Sequence, residues 1–209
     1  MDWFSDKYKE YYNVKRQINV DLNTLYPTLH SLYDSKACNG CTLEHRICGE
    51  EQCVLKFQNE EIVEMTNIED FLLQFDGLKM ASLKEKCDFM FCNNVNKVVF
   101  CDMSCTQSKY VEPYLCQGEK KSGKRAKAYS QIESVIGKFM EVPALKTYID
   151  NMNEKIGLFA LREKDVIVTS DVERNMQVFK MSSKNNEMFV DMRDGFRFVI
   201  VKYPNVYHW

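Results

Sequence analysis

Residues 87–105 read Cys-Asp-Phe-Met-Phe-Cys-Asn-Asn-Val-Asn-Lys-Val-Val-Phe-Cys-Asp-Met-Ser-Cys. Two apolar runs flank an Asn-rich turn, and each run carries one acid, Asp88 or Asp102. A carboxylate on a buried strand is costly unless something pairs with it. Two carboxylates on adjacent strands can share a divalent metal. Strand side chains alternate between faces, so the length of the turn decides whether the acids meet. A connection of residues 94–96 pairs Asn93 with Lys97 and sets Asp88 opposite Asp102. A connection one residue shorter or longer would put the two acids on opposite faces. Such an odd loop calls for a left-handed residue, which Asn can supply.

A basic segment follows, Gly118-Glu-Lys-Lys-Ser-Gly-Lys-Arg-Ala-Lys127. Beside paired acids, Lys120, Lys121 and Arg125 are candidates for holding a phosphate backbone; a solvated loop is the ordinary alternative. The segment is not a phosphate-binding P-loop, because Arg125 stands where Ser or Thr is required and no strand leads directly into it. In the helix expected next, Lys124, Lys127, Gln131 and Lys138 fall within a sector of about 60°. That stripe flanks an apolar face, so it can lean over a sheet edge or remain a solvated flank.

A second chemical cluster lies earlier. Cys38, Cys41, Cys48 and Cys53 have the spacing C-x₂-C-x₆-C-x₄-C, with His45 inside. Four thiolates so close suit tetrahedral zinc, with His45 able to replace one. An iron–sulfur cluster, or free or disulfide-paired cysteines, are the other readings. A closed four-ligand site would fold the loop and do no chemistry. Cys87, Cys92, Cys101 and Cys105 sit in or beside the hairpin, where small buried thiols are common. With His30 and His208 far from any candidate nucleophile, Cys-His and Ser-His mechanisms are disfavoured.

These residues must be positioned by a chain of 209 residues that is 45% hydrophobic, enough for one sizeable core. Its net charge of −2 shows no global basic bias, so nucleic-acid contact would rest on a local patch. No apolar run reaches the roughly 18 residues that would suggest a membrane span. The N-terminal residues lack the basic-then-apolar pattern of a secretory signal, and a cytoplasmic location is expected. Nine cysteines, none beyond Cys116, favour local roles over a disulfide framework.

The periodicity predicts helix over 5–35, with a second helix starting near Leu25, and strands at 54–57 and 62–65. Asn67 is the expected cap of a helix over 68–84. The hairpin is expected at 86–92 and 97–104, a helix at 124–140, and another from Pro143 to about Asn151. Strands are expected at 156–161, 166–169, 176–181, 188–191 and 196–203. The order implies α/β, or α+β, with a mixed sheet flanked by helices. Two regions are expected: 1–66, with N-terminal helices and the cysteine module of 36–53, and a core of 67–209.

An acid at a strand start, a second acid in the next strand and then a helix bearing Lys and Gln resemble the PD-(D/E)xK, or restriction-endonuclease-like, nucleases. The resemblance covers roughly residues 68–162. It implies a helix, a three-stranded meander, a second helix and a further strand, with Asp88 and Asp102 holding magnesium or manganese. The lysine that the family places two residues after the second acid is Ser104 here, and Cys87 stands where a Pro would precede Asp88. Lys124 or Lys127 could substitute, and Gln131 would orient a ligand or water. The resemblance implies cleavage of DNA or RNA, in prokaryotic defence or a mobile element. The alternative is a catalytically inactive subunit or adaptor in a larger complex. Nucleic acid, a protein partner or a second copy are the partners implied, with no membrane.

Overall fold

The computed structural model describes residues 3–32, 54–78, 80–164 and 190–209. The cysteine module at Cys38, Cys41, Cys48 and Cys53, with its zinc, lies outside the described residues, as do the strands expected at 166–169 and 176–181.

Helix α1 (Trp3–Tyr11) ends where Asn13 takes a left-handed φ of 54°. Two strands follow, β1 (Leu22–Leu25) and β2 (Thr28–Leu32). The helical expectation is therefore corrected over residues 12–32. Leu22, Leu25, Leu29 and Leu32 have helix-like spacing, but only Leu25 and Leu32 are buried, and Leu29 is 50% exposed. Antiparallel pairing of β1 with a later strand prevails over local periodicity.

Strands β3 (Leu55–Asn59) and β4 (Val63–Asn67) are close to expectation. Asn67 caps α2 (Ile68–Leu73), accepting the Asp70 amide at 2.9 Å. The helix expected to reach 84 stops at Leu73. Gly77, at φ +84°, turns the chain, and Gln74 leaves the helix register to bond Asn19 through both amide atoms.

The hairpin is β5 (Phe89–Cys92) and β6 (Lys97–Thr106). Beyond β6 come a 3₁₀ turn (Ser108–Tyr110), β7 (Tyr114–Cys116) and β8 (Glu119–Lys121). Helices α3 (Lys124–Met140) and α4 (Pro143–Asp150) match the sequence reading closely. The chain continues with β9 (Glu154–Glu163), β10 (Val190–Asp191), β11 (Arg197–Lys202) and β12 (Val206–His208).

The main sheet has seven strands in the order β1-β4-β5-β6-β9-β11-β10, so strands from both sides of residue 66 share it. β4, β5 and β6 form an antiparallel meander, and β9 lies parallel to β6 after the α3–α4 crossover. The architecture is thus mixed α/β. All four helices bury their apolar residues on one face: Phe4 and Tyr8 of α1, Phe71 of α2, Ile132, Ile136 and Phe139 of α3, and Leu145 of α4. The other face is covered by a three-stranded sheet, β12-β3-β2, with Phe57 stacked on Phe91 at 5.1 Å. No described helix is long and apolar enough to cross a membrane.

Candidate functional site

The turn between β5 and β6 has the odd length on which the acids depend. Cys92 pairs with Val98, and the Asn93 amide donates to the Lys97 carbonyl at 3.4 Å. Asn94 supplies the left-handed residue, at φ 58°. The Asn93 carboxamide oxygen accepts the amides of Val95, Asn96 and Lys97 at 3.0–3.1 Å, an Asx-type turn. The register then runs to Phe89 opposite Cys101, the last regular pair before the acids, and continued by one residue it would set Asp88 opposite Asp102.

The regular ladder stops one residue short of the acids. Asp88 donates its amide to the Cys101 carbonyl at 3.0 Å, and its carboxylate Oδ2 accepts the Met103 amide at 2.6 Å. A side chain thus takes the place of the main-chain acceptor that β5 would have offered had it continued. The Asp88 carbonyl in turn receives the first amides of α2, from Ile68 at 2.9 Å and Glu69 at 3.3 Å. Asp88 therefore ties together β6, β5 and the start of α2.

Asp102 is 7% exposed. Its strand alternates cleanly: Val98 and Phe100 belong to the core beneath the helices, Val99, Cys101 and Met103 to the core beneath the small sheet. Asp102, Ser104 and Thr106 thus form a buried polar row on the helix-covered face, following two apolar positions. Both acids act on the same thiols. Burial pushes Cys87 well up, and Asp102, then Asp88, with Glu69 last, push it further. Burial likewise raises Cys101, helped by Asp88 and then Asp102. Both carboxylates thus lie near enough to the end of the β5–β6 pair to disfavour a thiolate on either side of it.

Helix α3 reaches this point through Gln131, whose Nε2 donates to the Lys86 carbonyl at 2.5 Å, two residues before Asp88. Ser130 bonds Glu85 beside it. Lys127 lies one turn before Gln131 on the same side, and both Lys124 and Lys127 are exposed. Lys138, the far end of the sequence stripe, is spent elsewhere, on the Met80 carbonyl and on Glu141 at 2.9 Å. Arg125 is anchored to Glu112 at 3.1 Å and Lys121 to Glu119 at 2.5 Å, while Lys120 is exposed on β8. Of the residues singled out from sequence, Asp88 and Asp102 lie at the same end of the β5–β6 pair and Gln131 bonds the chain two residues before Asp88, while Lys120, Lys121, Lys124 and Lys127 are exposed.

Three features were not singled out. Glu69 is placed near the acids by the α2 cap, and Asn67 three residues before Asp70 was its signal. The row Ser104–Thr106 could have been read from strand alternation after Asp102. Lys86 is 8% exposed and pairs with Asp76 at 3.0 Å, a contact that nothing local in the sequence announces.

Two carboxylates offer hard oxygen donors of the kind magnesium and manganese take, and magnesium keeps several of its waters. A carboxylate has about four acceptor positions, so the Met103 bond does not exhaust Asp88. Among the described residues no group of three or more His, Cys, Asp or Glu side chains gathers as a metal cage. An ion here would rely on Asp88, Asp102, backbone oxygen and water. No family model, curated protein or solved structure matches the chain.

Proposed function

We propose that this protein is nuclease-like, with Asp88 and Asp102 as the seat of a divalent cation and the start of α3 as the surface that receives a phosphodiester. The observation that carries this reading is the odd-length turn that brings the Asp88 end of β5 beside the Asp102 end of β6, with Gln131 of α3 gripping the peptide two residues before Asp88. A bound ion would supply Lewis-acid polarisation of a phosphoryl oxygen and a more acidic water. Lys124 and Lys127 would hold the phosphate, and Gln131 would keep the base of β5 in place. The cysteine module would add a structural zinc, which metal analysis of the purified protein would find at about one per chain.

The test is incubation with supercoiled, linear and single-stranded DNA and with RNA, in Mg²⁺ or Mn²⁺. Cleavage that Asp102→Asn abolishes supports an enzyme. Absence of cleavage, together with unchanged Mn²⁺ affinity in Asp102→Asn, overturns the metal site.

A second reading has its own observation. Ser104, at the position where the family has its lysine, is 6% exposed, and one oxygen of Asp88 is already committed to a main-chain amide. Both fit a nuclease-type scaffold retained as a subunit or adaptor. It is favoured if the wild type is inert and the Asp88→Asn and Asp102→Asn variants behave as wild type in cells.

A further inference from the structure

We infer that the β7–β8 hairpin is a finger that grips single-stranded nucleic acid, with Tyr110 and Tyr114 as a base-stacking platform and Lys120, Lys124 and Lys127 on the phosphates. The inference rests on the nucleic-acid side of the proposed function, but not on any metal or cleavage at Asp88 and Asp102.

The hairpin is well formed, yet its own side chains stay out of the core. Tyr114 pairs with Lys121, Leu115 with Lys120 and Cys116 with Glu119, around a two-residue turn with Gln117 at φ 51° and Gly118 at φ 82°. Those angles suit the turn type that matches strand twist. None of its six strand residues is buried, and Leu115 is 76% exposed. A lone two-stranded ribbon is marginal in water, so this one depends on its base and on what it meets.

The base is fixed. Gly123 sits so close to the Val111 carbonyl that an added Cβ would lie 2.2 Å from that oxygen. The Arg125 amide bonds the same carbonyl at 3.1 Å, and the Arg125 side chain pairs with Glu112. The chain thus leaves the buried Val111, projects as a ribbon and returns to the first turn of α3 at one clamped point.

The chemistry of the finger selects a polyanion with stackable faces. Between Gln107 and Lys127 there are six basic residues and two acids, Glu112 and Glu119, and each acid is paired to a base of the same segment, Arg125 and Lys121. Lys120, Lys124 and Lys127 have no acidic partner among the described residues. Tyr110 and Tyr114 meet edge to face at 4.8 Å, and Lys109 lies over Tyr110 at 4.9 Å. Aromatic rings interleaved with free lysines bind strands whose bases are unstacked, while a duplex hides those faces in its own stack. In the chain the finger follows directly on β6, so it is rooted at the end of the strand that carries Asp102.

The test is fluorescence anisotropy in EDTA, which removes any cleavage, using labelled oligothymidylate and oligouridylate of about 20 nucleotides, longer than a typical site, against a duplex of the same length. Single strands should bind about tenfold tighter than duplex, the two sugars separating a DNA from an RNA preference. Tyr114→Ala should weaken single-strand binding about tenfold with the salt slope retained, and Tyr114→Phe should restore it. Lys120→Gln, Lys124→Gln and Lys127→Gln combined should lower the salt slope by about 2. Because EDTA removes any metal, binding is read independently of the Asp88–Asp102 site, so a failed metal site and a failed finger give different results. Equal or tighter binding of duplex, wild-type affinity in Tyr114→Ala with the fold intact by circular dichroism, or tighter binding to anionic vesicles or polyglutamate than to oligonucleotide would each overturn the inference.

Discussion

The Met103 amide donates to Asp88 Oδ2 at 2.6 Å, so a candidate metal ligand also ends a β-ladder. The two roles need different things from the side chain. Capping needs one acceptor oxygen, whereas holding a cation needs charge. Asp88→Asn keeps an acceptor and Asp88→Ala removes it from a residue pair whose Met103 side is 4% exposed. We expect Asp88→Ala to lose about 1–3 kcal/mol in urea unfolding, the cost of stranding a buried amide. Asp88→Asn should stay within about 1 kcal/mol of wild type while losing Mn²⁺ affinity. Equal stability losses in the two variants would show that charge, not capping, holds the strand end.

Ser104 separates the two functional readings. It lies on the same face as Asp102, two residues on, and is buried. In Ser104→Lys a cation would stand beside the acids, where opposite charge compensates its desolvation. If the scaffold lost only that lysine, the variant should gain metal-dependent cleavage over wild type in a plasmid-nicking assay. A gain should be lost again in the double variant with Asp102→Asn, and a folded Ser104→Lys protein with no gain would leave the adaptor reading standing.

What was legible in the sequence follows from how local each signal is. Helix α3 was readable to the residue because Ile132, Ile136 and Phe139 repeat at helical spacing and all are buried. Asn67 was readable as a cap because the bond to Asp70 is internal to four residues. The turn at 94–96 was readable because register is arithmetic once its length is known. The stretch 12–32 was not, because its leucine spacing suits a helix and only the partner strands β4 and β3 make parts of it strands. The site was half legible for the same reason. Alternation gives Asp102, Ser104 and Thr106 one face, but the turn of Asp88 toward Met103 depends on where β5 leaves the sheet, a tertiary event. Lys138 belonged to the helical stripe by angle, yet Glu141 and Tyr12 capture it, its Nζ lying 4.6 Å from the Tyr12 ring.

Asn94 carries the turn that sets the acids' register, at φ 58°. Its side chain also accepts the Tyr148 hydroxyl at 2.9 Å and donates to Glu64 at 2.5 Å. Glycine keeps the backbone conformation and loses those bonds, while valine loses both. Thermal or urea unfolding should show a loss of about 1 kcal/mol for Asn94→Gly. Asn94→Val should cost about 1–2 kcal/mol more, the added penalty of a branched residue in the left-handed region. Similar losses in both variants would mean that the side-chain bonds, not the backbone angle, hold the turn.

Cys87 and Cys101 give the site a measurable alkaline signature. Both thiols are fully enclosed, and burial, reinforced by Asp102 and Asp88, holds each well above the ordinary thiol range. In the unfolded chain a thiol ionises near pH 8.5, whereas in the native state these two stay protonated. Above that pH the native state binds more protons than the unfolded state, so stability must fall as pH rises. Each thiol contributes a slope of at most about 1.4 kcal/mol per pH unit, fully absent below the unfolded value. Urea midpoints measured from pH 7 to 10 should therefore decline, and Cys87→Ala and Cys101→Ala should each flatten the decline relative to wild type. In the native protein the exposed Cys116 should react with a thiol reagent at pH 8, with Cys87 and Cys101 silent until unfolding. Prompt native-state labelling of Cys87 would mean that this thiol is open to solvent, and the alkaline slope attributed to its burial would have to come from elsewhere.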